Sequence, residues 1–370
     1  MKSILSVVLI ATCLCSLGQD PKNVLFVGNS YVYTNDLPQV LDDLAASLSK
    51  ILIHESSTPS GYTFEGHTTN VETQNLLMQG DWDHVVLQEQ SQIPALELSS
   101  VEENVFPYAS QLVDDARASS DCCMPIFMMT WGRQDGDETN CGSWPPVCTY
   151  EGQQELLTER YVQMAVDNEC WTAPIGEAWR IVREETDDNI GLYIQDGSHP
   201  TVAGTYLAAC VLFATIWNQT PVGAPYIAGL DPADAAYLQS VAASTVFDDP
   251  EAWNHIPLLS ADIIFGGVGA SVSVTLDLSP AMDSALVTGP NGSNIWLDGD
   301  LSGYFLSPGT HYWTVTAYSP CGQIFFIDSV VVLANDVPLN PSIEFSVYPN
   351  PARDYLTIAG IENSEKYEIY

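Results

Sequence analysis

Positive charge is scarce in this chain. Its 370 residues carry only 10 Lys and Arg against 47 Asp and Glu, a formal net charge of −37. Such a surface repels phosphate backbones and anionic lipid, which excludes a role tracking nucleic acid. Screening by salt weakens the self-repulsion, so the composition suits saline solution. Histidine is also rare, with 6 in the chain. No cysteine has metal-site spacing, and the scarcity of histidines near them argues against a structural zinc. Long apolar runs are missing too. The run at residues 4–14 is too short to span a bilayer, and no later stretch is long and apolar enough for a membrane helix.

What is present is a chain able to bury a core, with 46% hydrophobic and 10% aromatic residues. Its length implies two or three folding units. Residues 1–18 read as a secretory signal: Lys2 supplies the positive end, an apolar core follows, and Ser16-Leu17-Gly18 offers small residues for cleavage before Gln19. Export places the mature chain in an oxidising compartment, secreted or at the cell surface. Two of the nine cysteines lie in the leader. The odd remainder leaves at least one thiol free. Cys141 and Cys148, flanking a Gly/Pro/Trp loop, are the preferred pair; Cys122 or Cys123 with Cys170 is the second choice.

After the leader, Val24-Leu25-Phe26-Val27 has buried-strand character and runs into Gly28-Asn29-Ser30. Gly28 permits a tight turn, and Ser30 then stands where a strand ends and a helix begins. Apolar residues at helical spacing place a helix over 37–52, from Leu37 through Val40, Leu41, Leu44 and Leu48. Strands follow at 51–54, 84–87, 125–129 and 171–175, with helices at 72–78, 101–118, 153–166 and 201–217. Strands alternating with helices imply an α/β layer with a mostly parallel sheet. Ligands bind beyond the carboxyl ends of such strands. Ser30, the run from Gln88 to Gln92, Thr130-Trp131-Gly132 and Gly176 all follow strands and should gather at one edge. From about residue 256 to 335 the pattern alternates without helical period, with turns at Pro290-Asn291-Gly292 and Ser307-Pro308-Gly309, as in a small β-sandwich. Residues 336–344 read as a linker, and 345–370 as the start of another β unit.

A serine nucleophile needs a base within hydrogen-bond reach, and the base needs an orienting partner. Ser30, His199 and Asp196 supply those groups, since Asp196-x-x-His199 can bring both side chains to one side of a turn. Donors for a developing oxyanion are the Ser30 N–H, a glycine N–H from the Ser60-Gly61-Tyr62-Thr63 loop, and the Gln90 amide. His67 is the histidine best placed to touch substrate, while His54, His84, His255 and His311 read as structural. Trp131 and Arg133 are candidate contacts for a sugar or a carboxylate. Glu89 with Asp83 is a second reading, the paired carboxylates of a glycosidase.

In this order, Gly28-Asn29-Ser30, the glycine loop, the amide after the third strand and Asp196-x-x-His199 resemble the SGNH (GDSL-type) hydrolases over residues 22–220. The stretches Val85-Val86-Leu87-Gln88-Glu89-Gln90-Ser91 and Pro174-Ile175-Gly176-Glu177-Ala178-Trp179 are similar to a bacterial branch of that family. The resemblance implies a flavodoxin-like three-layer domain over residues 19–250 and esterase chemistry without metal or cofactor. It implies Ser30, Gly61 and Gln90 as the oxyanion donors, with Gly66 the alternative glycine. Two positions depart from the pattern: Asn29 replaces an aspartate, and Gln90 replaces a shorter asparagine. Val347-Tyr348-Pro349-Asn350-Pro351-Ala352 resembles the start of a type IX secretion sorting domain of Bacteroidota, which would make that machinery a partner. The expected activity is hydrolysis of acetyl or other small acyl esters on a small molecule or polysaccharide. An acyltransferase and a non-catalytic glycan-binding surface protein are the rival readings.

Overall fold

A computed structural model describes residues 21–332, apart from 121, 187–188, 256–260, 269–270, 279–283, 290–293, 298–300, 306–308 and 320, together with 347–348 and 357–358. The leader, the linker and most of the expected sorting segment lie outside the described residues.

The first half alternates strand and helix as the apolar pattern requires. β1 (Lys22–Val27) is followed by α1 (Ser30–Tyr33), α2 (Leu37–Ser47) and β2 (Leu52–Ser57). Next come α3 (Phe64–Thr69), α4 (Val71–Gln79), β3 (His84–Leu87), α5 (Leu98–Asn104), α6 (Phe106–Ser119) and β4 (Ile126–Met128). The short α7 (Glu138–Cys141) precedes α8 (Tyr150–Asp167), β5 (Trp171–Ala173), α9 (Ile175–Thr186), α10 (Val202–Trp217) and α11 (Pro232–Phe247). The five strands pair in parallel in the order β2-β1-β3-β4-β5. This is the flavodoxin-like order, and its switch point lies between β1 and β3.

Period-two alternation sorts each strand between two cores. Val24, Phe26, Val86 and Met128 pack with α2, α9, α10 and α11. Leu25, Val27, Val85, Leu87 and Phe127 pack with α4, α6 and α8. Two apolar faces need two helical layers, so a three-layer sandwich results. α10 is buried from Ala203 to Ile216 because α2, α9 and α11 surround it. That environment explains its nearly all-apolar sequence.

Two features differ from the sequence expectation. The single helix expected over 101–118 is two, α5 and α6, broken at Val105. Pro107 sits in the first turn of α6, where its missing N–H costs nothing, and the residue before a proline disfavours helical continuation. The sequence reading leaves α9 and α11 unassigned: it passes over the clear apolar stripe of α9, Ile175, Ala178, Trp179 and Val182, whereas α11 is rich in alanine and shows no sharp apolar face.

Farther along, β6 (Ala261–Val268), β7 (Ser271–Leu278), β8 (Ser284–Thr288), β9 (Asn294–Leu297), β10 (Leu301–Phe305), β11 (Gly309–Ser319) and β12 (Gly322–Val332) form two antiparallel sheets, β10-β7-β6 and β12-β11-β8-β9. β13 (Val347–Tyr348) and β14 (Thr357–Ile358) make a small antiparallel pair. Cys141 pairs with Cys148, whereas Cys122 pairs with Cys321 rather than with Cys170. Cys123 and Cys170 are instead buried thiols of the second core. Burial pushes both up to about 12, so neither is a thiolate near neutral pH.

Candidate active site

Ser30 leaves the sheet at the carboxyl end of β1, next to β3 and therefore at the switch point. Gly28 allows this approach: a Cβ there would lie 2.7 Å from Gln88 Oε1 and 2.8 Å from Val32 Cγ2. Gln88 fills that space and accepts the Asn29 N–H at 2.9 Å. Asn29 Oδ1 caps α1 by accepting from Tyr31 N at 3.2 Å, while its Nδ2 donates to Tyr62 O at 2.9 Å. The carboxamide thus holds the glycine loop against the nucleophile turn. An aspartate could repeat the cap but could not donate to a carbonyl. Asn29→Asp is therefore expected to lower kcat on an aryl ester by roughly ten-fold, about 1.4 kcal/mol, with far-UV circular dichroism preserved.

His199, the expected base, comes from much later in the sequence, 169 residues after Ser30. Residues 194–199 form a tight loop in which Ile194 N donates to His199 O at 3.0 Å and Gly197 N donates to Ile194 O at 3.0 Å. Asp196 Oδ1 accepts from the N–H groups of Ser198 and His199, both at 2.9 Å. Asp196 Oδ2 lies 2.6 Å from His199 Nδ1, and His199 Nε2 lies 2.8 Å from Ser30 Oγ. Partial burial acts to raise the Asp196 pKa, but the hydrogen bonds from His199 and Ser198 outweigh it and leave the carboxyl below its usual range. Asp196 is therefore an acceptor at neutral pH, which requires Nδ1–H on His199 and leaves Nε2 free to accept from Ser30.

Aromatic rings support this loop from below. Trp179 stacks on Trp131 at 3.9 Å between centroids, Trp131 stacks on Tyr31 at 4.7 Å, and Tyr31 meets the His199 ring edge-on at 5.3 Å. Trp131 Nε1 donates to Ser198 O at 2.9 Å, and Tyr31 Oη lies 2.6 Å from Ser198 Oγ. Burial raises the Tyr31 pKa, so this hydroxyl stays protonated. Trp131 is fully buried in that column, which corrects the expectation of a sugar contact. Its ring positions the histidine loop instead.

The other expected positions divide. His67 is fully buried, with Nε2 2.9 Å from Gly28 O and Nδ1 2.8 Å from Thr73 Oγ1. Burial lowers its pKa to about 4, so the ring is neutral and donates through Nε2 to the Gly28 carbonyl. It braces the nucleophile turn from behind and does not face substrate. Gly61 is exposed at φ +67°, in a turn closed by Tyr62 N donating to Pro59 O at 3.3 Å. The alternative glycine, Gly66, has its N–H bonded to the capping Thr63 Oγ1 at 3.1 Å. The Gln90 carboxamide caps the turn after β3: Oε1 accepts from Gln92 N at 2.8 Å and Ile93 N at 3.3 Å, and Nε2 donates to Gln92 Oε1 at 3.1 Å. That is a turn-capping role rather than a freely presented oxyanion donor.

Asp83 and Glu89 are not a catalytic pair. Asp83 precedes β3 and bonds Lys22 and Asn23 N, whereas Glu89 lies past the other end of the strand. Glu89 is fully buried; Oε2 accepts from Phe64 N at 2.9 Å and Oε1 from Gln90 N at 2.5 Å. Gln88, Tyr31 and Ser198 are parts of the site that sequence reasoning did not single out. The one available signal was Gln88, which opens the polar run expected at the sheet edge and directly follows Val85-Val86-Leu87. Among the described residues no group of three or more His, Cys, Asp or Glu side chains is arranged to hold a metal ion, and no helix is long and apolar enough to cross a membrane.

No protein-family model matches the chain, and no curated protein matches it in sequence. Solved structures do. A DUF4886 family protein from Bacteroides uniformis superposes with a TM-score of 0.53 at 18% identity, covering 62% of this chain and 96% of that one. This likeness shows a shared fold. A candidate SGNH hydrolase from Slackia heliotrinireducens is similar at 25% identity and TM-score 0.43, covering 52% of this chain and 98% of its own. An acetyl xylan esterase, AlAXEase, has a TM-score of 0.41 at 11% identity, covering 52% and 98%. The five-stranded parallel sheet with flanking helices is a flavodoxin-like α/β fold, and the structural neighbours also include proteins described as a GDSL-like lipase from Parabacteroides merdae and an esterase, EstA, from Pseudoalteromonas.

Proposed function

We propose that this chain is an exported serine esterase that removes acetyl or another small acyl group from a carbohydrate. One observation carries the chemistry: the unbroken line from Ser30 Oγ through His199 to Asp196, with contacts of 2.8 Å and 2.6 Å. His199 Nε2 takes the Ser30 proton as Oγ attacks the ester carbonyl. The tetrahedral oxyanion is met by the Ser30 N–H, which as the first N–H of a helix has no partner within it, and by the Gly61 N–H. His199 then returns the proton to the leaving alcohol, an acyl-enzyme remains on Ser30, and water hydrolyses it by the same relay in reverse.

Hydrolysis is favoured over acyl transfer because the relay is open to water. The His199 and Asp196 side chains are 30% and 45% exposed. The carbohydrate preference draws support from the appended β sheets and from the leader and sorting-like tail of a secreted chain. Export through the type IX machinery belongs to the same proposal; N-terminal sequencing of the mature protein should begin at Gln19. The test of the chemistry is covalent labelling. A serine-directed phosphonate should add one equivalent to Ser30 and stop hydrolysis of 4-nitrophenyl acetate, whereas labelling elsewhere with activity retained would overturn the assignment.

A further inference from the structure

Residues 133–148 take no part in the relay, yet they form a firmly braced loop beside it. Asp137 is fully buried and accepts from Gln92 Nε2 at 2.8 Å, Asn140 Nδ2 at 2.7 Å and Thr139 N at 3.1 Å. Its own N–H donates to Val147 O at 2.7 Å, and the Cys141–Cys148 disulfide staples the loop. Gln134 N donates to Gly197 O at 2.8 Å, fastening this wall to the turn that carries Asp196 and His199. Between wall and turn lies a cleft of about 490 Å³, bordered by Arg133, Asp135, Glu138, Thr139, Asp196 and Gly197. That volume falls within the roughly 300–1,000 Å³ of small-molecule sites.

Arg133 is singular among the five described arginines. Arg117 bonds the carbonyls of Asn168 and Glu169, and Arg160 pairs with Glu159. Arg180 pairs with Glu177 and Glu184, and Arg183 bonds Gln134 O and lies over the Tyr150 ring. The Arg133 guanidinium has no hydrogen-bond or ion-pair partner among the described residues, and its Nε is buried. In a chain with 47 acids this is not for want of carboxylates. The terminal N–H groups of Arg133 are not among the buried atoms and find no acceptor in the described protein, so they can donate to a molecule in the cleft.

The chemistry of that ligand follows from its surroundings. Arg133 offers only donors; Asp135 and Glu138 offer only acceptors. A hydroxyl both accepts and donates, so neighbouring hydroxyls satisfy both kinds of partner. Charge separates a neutral polyol from an acidic sugar. One guanidinium faces three carboxylates along the cleft, so the site repels an anion. We propose that this cleft is the subsite for the alcohol side of the ester, that it takes a neutral polyhydroxylated sugar, and that Arg133 anchors it. The inference rests on the esterase reading of Ser30 for the word "ester" only.

Binding can be tested apart from chemistry. In the Ser30→Ala protein, calorimetric titration with xylotetraose, cellotetraose and mannotetraose should show saturable binding of at least one. Tetragalacturonate should bind at least ten-fold more weakly. Adding Arg133→Gln should weaken the neutral ligand by ten-fold or more, while the distant Lys50→Gln should not change it. Glu138→Gln, at an exposed position, gives a second probe whatever the fate of the arginine variant; it should weaken the neutral ligand and lessen discrimination against tetragalacturonate. The proposal fails if no neutral tetrasaccharide binds, if tetragalacturonate binds more tightly, or if neither variant alters affinity. Loss of 4-nitrophenyl acetate hydrolysis in the wild-type chain would sink the esterase reading and leave this binding result standing.

Discussion

Ser30→Ala should reduce kcat for 4-nitrophenyl acetate by roughly 10⁴- to 10⁶-fold while the protein stays folded. The size follows from what the hydroxyl does: without Oγ no acyl-enzyme forms, and only water attack aided by the oxyanion donors is left. Folding should survive because the substitution removes one half-exposed hydroxyl from the first position of a short helix, and alanine is a good helix residue. His199→Ala should cost about as much, and the double variant little more than either alone, because groups acting as one relay are not additive. Asp196→Asn separates the partner's two roles. It can keep its acceptor for the loop N–H groups but places an amide against His199 Nδ1, favouring the wrong tautomer. A fall on the order of 10⁴-fold is expected. Steady-state kinetics with active-site titration checks all four. Additive losses in the double variant would mean that Ser30 and His199 do not act together.

Much of this site was legible because its chemistry is local in sequence. Asp196 and His199 are three residues apart, and Gly28-Asn29-Ser30 directly follows an apolar strand; their order along the chain, matched to the family resemblance, marked them as candidates. The parallel sheet was legible for a similar reason. Strands buried on both faces read as unbroken apolar runs, and His84-Val85-Val86-Leu87 is found at the expected bounds. What stayed hidden depends on partners far along the chain. His67 and Trp131 look like substrate contacts when only their position after a strand is known. Their partners, Gly28 O and Ser198 O, lie 39 and 67 residues away. Once those carbonyls are in place, both rings are buried supports. The Cys122–Cys321 bridge spans 199 residues, and no spacing rule reaches that far. Gln90 failed for a different reason: its side chain is long enough to fold back and cap its own turn.

Glu89→Gln should lower kcat by roughly 10- to 100-fold and change the pH dependence of stability. Glu89 receives one main-chain N–H from each of two loops, Phe64 N past the Gly61 turn and Gln90 N past β3. A carboxyl group can accept both bonds whether ionised or not, but glutamine has one acceptor and would set an NH₂ against the other N–H. A buried donor facing a donor costs about 1–3 kcal/mol, and the structure can relieve it by moving the glycine loop away from Ser30. The loss should fall on kcat more than on KM, because oxyanion contacts strengthen in the transition state. Burial pushes the Glu89 pKa up to about 8, against the opposing N–H bonds from Gln90 and Phe64 and with added repulsion from Glu65. That value lies above the ordinary 4.5, so between these limits the folded chain holds a proton that the unfolded chain has released. The contribution of Glu89 to stability is therefore complete below pH 4.5 and is lost as pH rises toward about 8. Its slope approaches about 1.4 kcal/mol per pH unit. Denaturant titrations from pH 5 to pH 8 should show wild type losing stability relative to Glu89→Gln across that window. Parallel curves would mean that Glu89 is already ionised in the folded chain. Unchanged kcat in the variant would mean that the glycine loop keeps its place without the bond to Phe64.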